Sequence, residues 1–179
     1  MTETADKLNT QAIHLASHGE YTEAIACIKR ALIMEKHNYF LWFNLGITYQ
    51  QAGDLTNARK SMMKAYSMNR YDQDVLESLA IINFNMGKLE DAAGFCYEGL
   101  DYNPTNPRLW NMAGVVFFNK SDYISASEAF ERAVSINPFY YDALFNLRDT
   151  YSELGNISGM NECIRRMKNL KPSDGEYHD

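Results

Sequence analysis

Residues 39–72 read YFLWFNLGITYQQAGDLTNARKSMMKAYSMNRYD, and the fold is decided by what recurs at fixed distance around them. Gly53, near the middle of this stretch, is one rung of a ladder with Gly19, Gly87 and Gly155 at a spacing of 34 residues, with Ser121 on the missing rung. Ala58 belongs to a second ladder, Ala24, Ala58, Ala92 and Ala126. Ala65 belongs to a third, Ala31, Ala65, Gly99 and Ala133, and Pro104, Pro138 and Pro172 form a fourth. Four ladders in phase, with no insertion along the chain, mark an internal repeat.

Each ladder has a physical reason. A mid-repeat glycine takes the positive-φ conformation that ends one helix and lets the chain reverse. Asp54, Asp122 and Asn156, one place later, are suited to cap the next helix. Two helices per repeat follow. The alanines sit where the second helix crosses its neighbours, because a methyl group lets backbones approach closely. The prolines close the second helix, since proline has no N–H to donate and disfavours helical geometry in the residue before it. Lys36 and Arg70 stand at that place in the first two repeats, where the stop must come from the surrounding turn.

Trp42-x-x-Leu45-Gly46-x-x-Tyr49 resembles the signature of the tetratricopeptide repeat family, and Trp110-x-x-Ala113-Gly114-x-x-Phe117, with Ala126-x-x-x-Phe130 and Pro138, is a second copy. The resemblance implies an all-α fold, a right-handed α-solenoid of five helix-turn-helix repeats with ten antiparallel helices. The repeats are 5–38, 39–72, 73–106, 107–140 and 141–174 of a single domain 1–179, with 175–179 as a tail. In each, the first helix is expected from about the second residue to the fourteenth and the second from about the eighteenth to the thirty-first. The outer repeats depart from the pattern: Leu8, Gln11, Ala12 and Leu15 replace the signature in the first, and Arg148, Met160 and Met167 replace small residues in the fifth. With only Gly175 to Asp179 after the last repeat, an apolar end at Ile164, Met167 and Leu170 is expected to be exposed.

Composition narrows the function. At 46% hydrophobic and 22% charged the chain is of globular type, and no apolar run is long enough for a membrane span. The polar N-terminus lacks the apolar stretch of a secretory leader, which makes the cytoplasm the expected location. Cys27, Cys96 and Cys163 form no CxxC pair, so neither a disulfide framework nor a zinc site is indicated. A formal charge of −6 opposes binding to nucleic acid. No nucleophile elbow, phosphate loop or zincin motif occurs, so no enzyme and no cofactor are expected. His14 and His18, four apart, lack a third metal ligand. Arg165, Arg166, Lys168 and Lys171 form the one dense basic run, and cations in the last turns of a helix complement its dipole.

What the resemblance leaves for function is the concave groove, lined in this family by the first helix of each repeat. Its stripe here takes in Asp6, Asn9 and Ile13 from the first repeat and Phe40, Phe43, Ile47 and Gln50 from the second, with Asn44 beside them. It continues with Asp74, Glu77, Ile81 and Phe84, then Arg108, Asn111, Val115, Phe118 and Asn119, then Asp142, Phe145, Asp149 and Glu153. Asp6, Asp74, Glu77, Asp142, Asp149 and Glu153 against Arg108 give a formal −5, and five phenylalanines spread an apolar lining along it. An exposed apolar stripe of that kind marks an interaction surface. Family members that grip acidic chaperone C-termini use a clamp of Lys, Asn, Asn, Lys and Arg. Here Asn44 matches one Asn, but Asn9, Ile13, Asp74 and Ser78 stand at the other places, and an aspartate repels a carboxylate. Asn44 and Asn146 are instead candidates to bond the backbone of an extended peptide.

The expected function is a scaffold or adaptor whose groove binds a protein or peptide partner of basic and apolar character. The competing reading is a structural subunit that self-assembles through its exposed ends. A monomer is expected over an end-to-end homodimer, because the cations of the last helix repel across a two-fold axis unless Asp174, Glu176 and Asp179 interleave.

Overall fold

A computed structural model describes residues 3–170. Pro172, Lys171, Asp174 and the expected tail 175–179 lie outside the described residues. The described chain is ten helices joined by short turns, with no strand among them: α1 (Ala5–Ser17), α2 (Tyr21–Met34), α3 (Tyr39–Gln51), α4 (Leu55–Met68), α5 (Gln73–Asn85), α6 (Leu89–Tyr102), α7 (Pro107–Asn119), α8 (Tyr123–Ile136), α9 (Tyr141–Glu153) and α10 (Ile157–Leu170). Every helix begins and ends one residue earlier than the ladders suggested. For the first helix of a repeat the shift comes from the N-cap, which sits on the residue just before the repeat. Thr4, Asn38, Asp72 and Asn106 each accept a backbone N–H of the helix they start. Tyr140, at the same place, makes no such bond.

The turns between paired helices follow their chemistry. Gly19, Gly53, Gly87 and Gly155 all have positive φ, and Ser121 takes the same conformation at φ 60°. Asp54 accepts from the Asn57 N–H, Asp122 from Ser125 and Asn156 from Gly159. The bonds from Asn57 and Ser125 hold the carboxyls of Asp54 and Asp122 below the usual range. At the other turn, the side-chain oxygens of Asn69, Asn103 and Asn137 accept N–H groups two residues on, from Tyr71, Thr105 and Phe139. That asparagine turn stops α4 where Arg70 stands in place of proline.

The chain divides within α6 into two compact bodies, Met1–Phe95 and Cys96–Asp179. In the N-terminal body, Ala24, Ala31, Ala58 and Ala65 are fully buried among Leu8, Ile28, Leu41 and Met62. In the C-terminal body, Ala126 and Ala133 are buried with Phe130, Leu144 and Leu147. Each body buries its paired helices against their neighbours: α2 on α3 and α4 on α5 in the first, α8 on α9 in the second. First helices also touch one another, α1 with α3, α3 with α5 and α7 with α9, which makes them one face of each body.

One expectation fails here. Met167 is only 6% exposed and lies in the core with Val134, Leu144 and Cys163, while Ile164 and Leu170 pack against it half-buried. The helical period turns this side of α10 toward α8 and α9, so the strip expected at an open end is interior.

Candidate interaction surfaces

The first-helix stripe lies at the surface in both bodies: none of its residues is buried, although the opposite sides of the same helices are core. Within it the phenylalanines differ. Phe40 is 68% exposed and Phe145 41%, whereas Phe43, Phe84 and Phe118 are half-buried.

In the N-terminal body the aromatic residues form a corner at the start of α3. Tyr39 meets Phe40 edge-on with ring centroids 5.2 Å apart and stacks on Phe43 at 6.4 Å. Burial, a hydrogen bond to Asp72 and the charges of Asp72 and Asp74 push the Tyr39 phenol well above its ordinary pKa. The corner therefore presents a rigid apolar plate beside carboxylates. Asp74 and Asn85 are exposed, and Ile47, Gln50, Glu77 and Ile81 are half-buried.

In the C-terminal body a cavity of about 120 Å³ opens among Val115, Phe118, Asn119, Phe130, Asn146 and Asp149. Phe118 is braced edge-on by Tyr123 at 5.2 Å. The Arg148 guanidinium carbon stands over the Phe145 ring, 4.0 Å from its centroid, and the same side chain bonds Asp149 at 2.6 Å. Sequence reading missed that contact because Arg148 occupies a position that is small in other repeats, Ala12, Gly46, Ala80 and Gly114. Arg108 and Asp142 are exposed and Asn111 is half-buried.

The asparagines expected to meet a peptide backbone meet each other. Asn44 Nδ2 donates to Asn9 Oδ1 at 2.9 Å, and Asn146 Nδ2 donates to Asn111 Oδ1 at 3.0 Å, each across adjacent repeats. These bonds tie neighbouring first helices together in each body. The rings of His14 and His18 lie 4.4 Å apart, and His18 Nδ1 bonds the His14 carbonyl oxygen at 2.8 Å. Among the described residues no group of three metal-ligating side chains gathers. No described helix is long and apolar enough to cross a membrane.

The opposite side of the N-terminal body holds a feature that sequence reading did not find. A cleft of about 510 Å³ runs between α2 and α4 over α3, rimmed by Lys29, Lys36, Lys60 and Lys64. Four cations from three separate segments carry no local signal in a chain of net negative charge.

A family model described as tetratricopeptide repeat matches residues 41–72 and 107–140. Bos taurus BBSome complex member BBS4 is 21% identical over 193 residues, covering 89% of this chain and 37% of that protein. An uncharacterised protein of Methanocaldococcus jannaschii is 36% identical over 67 residues, covering 37% of this chain and 78% of that protein. The chain spans about a third of the length of the BBS4 proteins it matches in cow and Drosophila melanogaster. Among solved structures, MamA from Desulfovibrio magneticus aligns with TM-score 0.82 at 15% identity, covering 95% of this chain and 96% of that one. PilF of Pseudomonas aeruginosa aligns with TM-score 0.83 at 14% identity, covering 95% and 78%. At such identities the likeness speaks to the fold alone.

Proposed function

The chain belongs to the tetratricopeptide repeat family, a fold for protein–protein interaction, and on that premise we propose that it is a non-enzymatic scaffold whose first-helix faces take a peptide or helical segment of basic and apolar character. The observation that carries this reading is Phe40, a large ring 68% exposed on a plate of Tyr39 and Phe43 with Asp72 and Asp74 alongside. A ring in that position offers little to folding. Covering it removes apolar surface from water, worth about 1.5–3 kcal/mol for a phenylalanine. The carboxylates orient Lys and Arg on the incoming segment and speed its approach. Phe145, exposed on the first-helix face, and the small cavity beside Asp149 are the apolar elements of the C-terminal body. The named relative that is a complex member is in keeping with a role among protein partners.

The test is titration calorimetry with a synthetic peptide that alternates Lys or Arg with Leu and Phe, set against one in which Glu replaces the cations. Binding of the basic peptide, lost in Phe40→Ala with thermal stability unchanged, is the expected result. Equal binding of both peptides, or full binding by Phe40→Ala, sinks the reading.

A further inference from the structure

The lysine-rimmed cleft of the N-terminal body has a construction of its own. α2 and α4 are its walls and α3 its floor. On α3, Trp42, Leu45 and Tyr49 follow helical spacing, and the floor they form is fixed from below. Leu45 and Tyr49 are buried, and the Trp42 indole N–H is anchored on the Lys36 carbonyl at 2.9 Å. On the α2 wall Ile33 is 84% exposed, flanked one turn earlier by Lys29 and just beyond the helix by Lys36. On the α4 wall Lys60 and Lys64 are one turn apart and both exposed.

No carboxylate among the described residues lines the cleft. Among the described residues none of these four lysines forms a salt bridge; Lys29 Nζ instead stands 5.6 Å from the centroid of the Tyr49 ring. Lys29 acts at a distance on Asp54, whose two oxygens accept from the backbone and side chain of Asn57. A cleft with a fixed aromatic floor, an exposed isoleucine and four cations that form no salt bridge is complementary to a ligand with acids around an apolar centre.

We propose that this cleft is a second docking surface, of opposite charge to the first-helix face, and that it takes an acidic segment of a partner protein carrying a large apolar side chain. The side chain covers Ile33 and lies on Trp42, while carboxylates on either side meet Lys29 and Lys36 across from Lys60 and Lys64. Nucleic acid suits the cations but leaves the apolar floor and Ile33 without a role, so the structure favours a peptide.

The test is fluorescence anisotropy with a labelled peptide of sequence Glu-Asp-Glu-Leu-Phe-Glu-Asp-Glu on the whole chain. Binding is expected to fall by about tenfold or more in Ile33→Asp and in Lys60→Glu with Lys64→Glu, as charge and anchor are removed. Both changes are on exposed side chains, so circular dichroism is expected to stay that of the parent. Phe40→Ala is expected to bind this peptide normally, which separates the cleft from the proposed first-helix site. In a Trp110→Phe background, where Trp42 is the remaining tryptophan, the peptide is expected to shift the Trp42 emission. The proposal is overturned by no binding, by equal binding of a peptide with Ala for Leu and Phe, by variants that bind as the parent does, or by single-stranded oligothymidine competing as well as the peptide.

Discussion

Two clefts in this molecule stand at the same place in the repeat, three repeats apart, and carry different chemistry. In the N-terminal body α2, α3 and α4 frame one of about 510 Å³; in the C-terminal body α8, α9 and α10 frame another of about 260 Å³. Their inner residues match in kind: Leu32 and Leu45 in the first stand where Val134 and Leu147 stand in the second. Their rims do not. Glu131, Glu162 and Arg166 replace Lys29, Lys60 and Lys64, and Ser135 replaces the exposed Ile33. Even the shared tyrosine differs in use, since Tyr49 carries a lysine over its ring while the Tyr151 hydroxyl donates to Glu131 at 2.7 Å. Packing dictates what lies under a cleft, and what lines its rim is free to change. Function is therefore to be sought in rim residues that depart from their counterparts.

The largest effect that tests this comparison is expected at Met167, whose counterpart in the N-terminal body is Ala65; both are buried. Met167→Ala leaves a cavity between α10 and its neighbours and is expected to cost about 2 kcal/mol, the low end for a buried methionine because no described helix follows α10. Urea unfolding measures it. A variant as stable as the parent would restore the reading of Met167 as a solvent-facing residue.

A second contrast lies under the two tryptophan-bearing repeats. A Cβ on Gly114 would stand 2.5 Å from the ring of the buried Phe130, whereas a Cβ on Gly46 would stand 2.9 Å from the flexible end of Met62. Gly114→Ala is expected to destabilise by about 1–2 kcal/mol, since a packed ring has nowhere to go. Gly46→Ala is expected near neutral, as the better helix propensity of alanine offsets the displacement. Equal losses would mean that Met62 is held as tightly as Phe130.

Smaller again is Ser121, the one described non-glycine residue at positive φ. Ser121→Gly is expected to stabilise by up to about 1 kcal/mol by relieving left-handed strain, read as a raised melting temperature. A lowered melting temperature would show that the serine side chain contributes more than its strain costs.

The smallest effect concerns Tyr151, the tyrosine of the C-terminal cleft. Burial, and then the bond to Glu131, push the Tyr151 phenol well above its ordinary pKa. The folded chain thus holds that proton more tightly than the unfolded one. Stability from the phenol is complete below about pH 10, the ordinary tyrosine value, and is lost as pH rises beyond it. Tyr151→Phe is expected to flatten the alkaline loss of stability in chemical denaturation. An unchanged slope would leave Glu131 without this part.

The repeat, its helices and its turn glycines were legible in the sequence because each depends on local geometry that a side chain either permits or forbids. Ser121 could be placed on the missing rung from spacing alone, and the structure gives it the backbone of a glycine. The N-caps Thr4, Asn38, Asp72 and Asn106 were equally readable, and their omission set the helices they start one residue late. Position on the first-helix face was readable too, but exposure was not. Phe43 and Phe118 lean on Tyr39 and Tyr123, contacts that depend on the rotamers of both partners. The lysine cleft depends on three segments meeting, and Asn44 on a neighbour 35 residues away.

The uninterrupted phase of the first helices, which begin at Ala5, Tyr39, Gln73, Pro107 and Tyr141, also limits how this chain can change in length. One residue added within a helix turns everything beyond it by about 100°, carrying each buried alanine toward water and each rim residue toward the core. A whole cassette of 34 residues, copied or lost, turns nothing. Growth by cassette would leave the floor beneath each new cleft already built and only its rim to be rewritten.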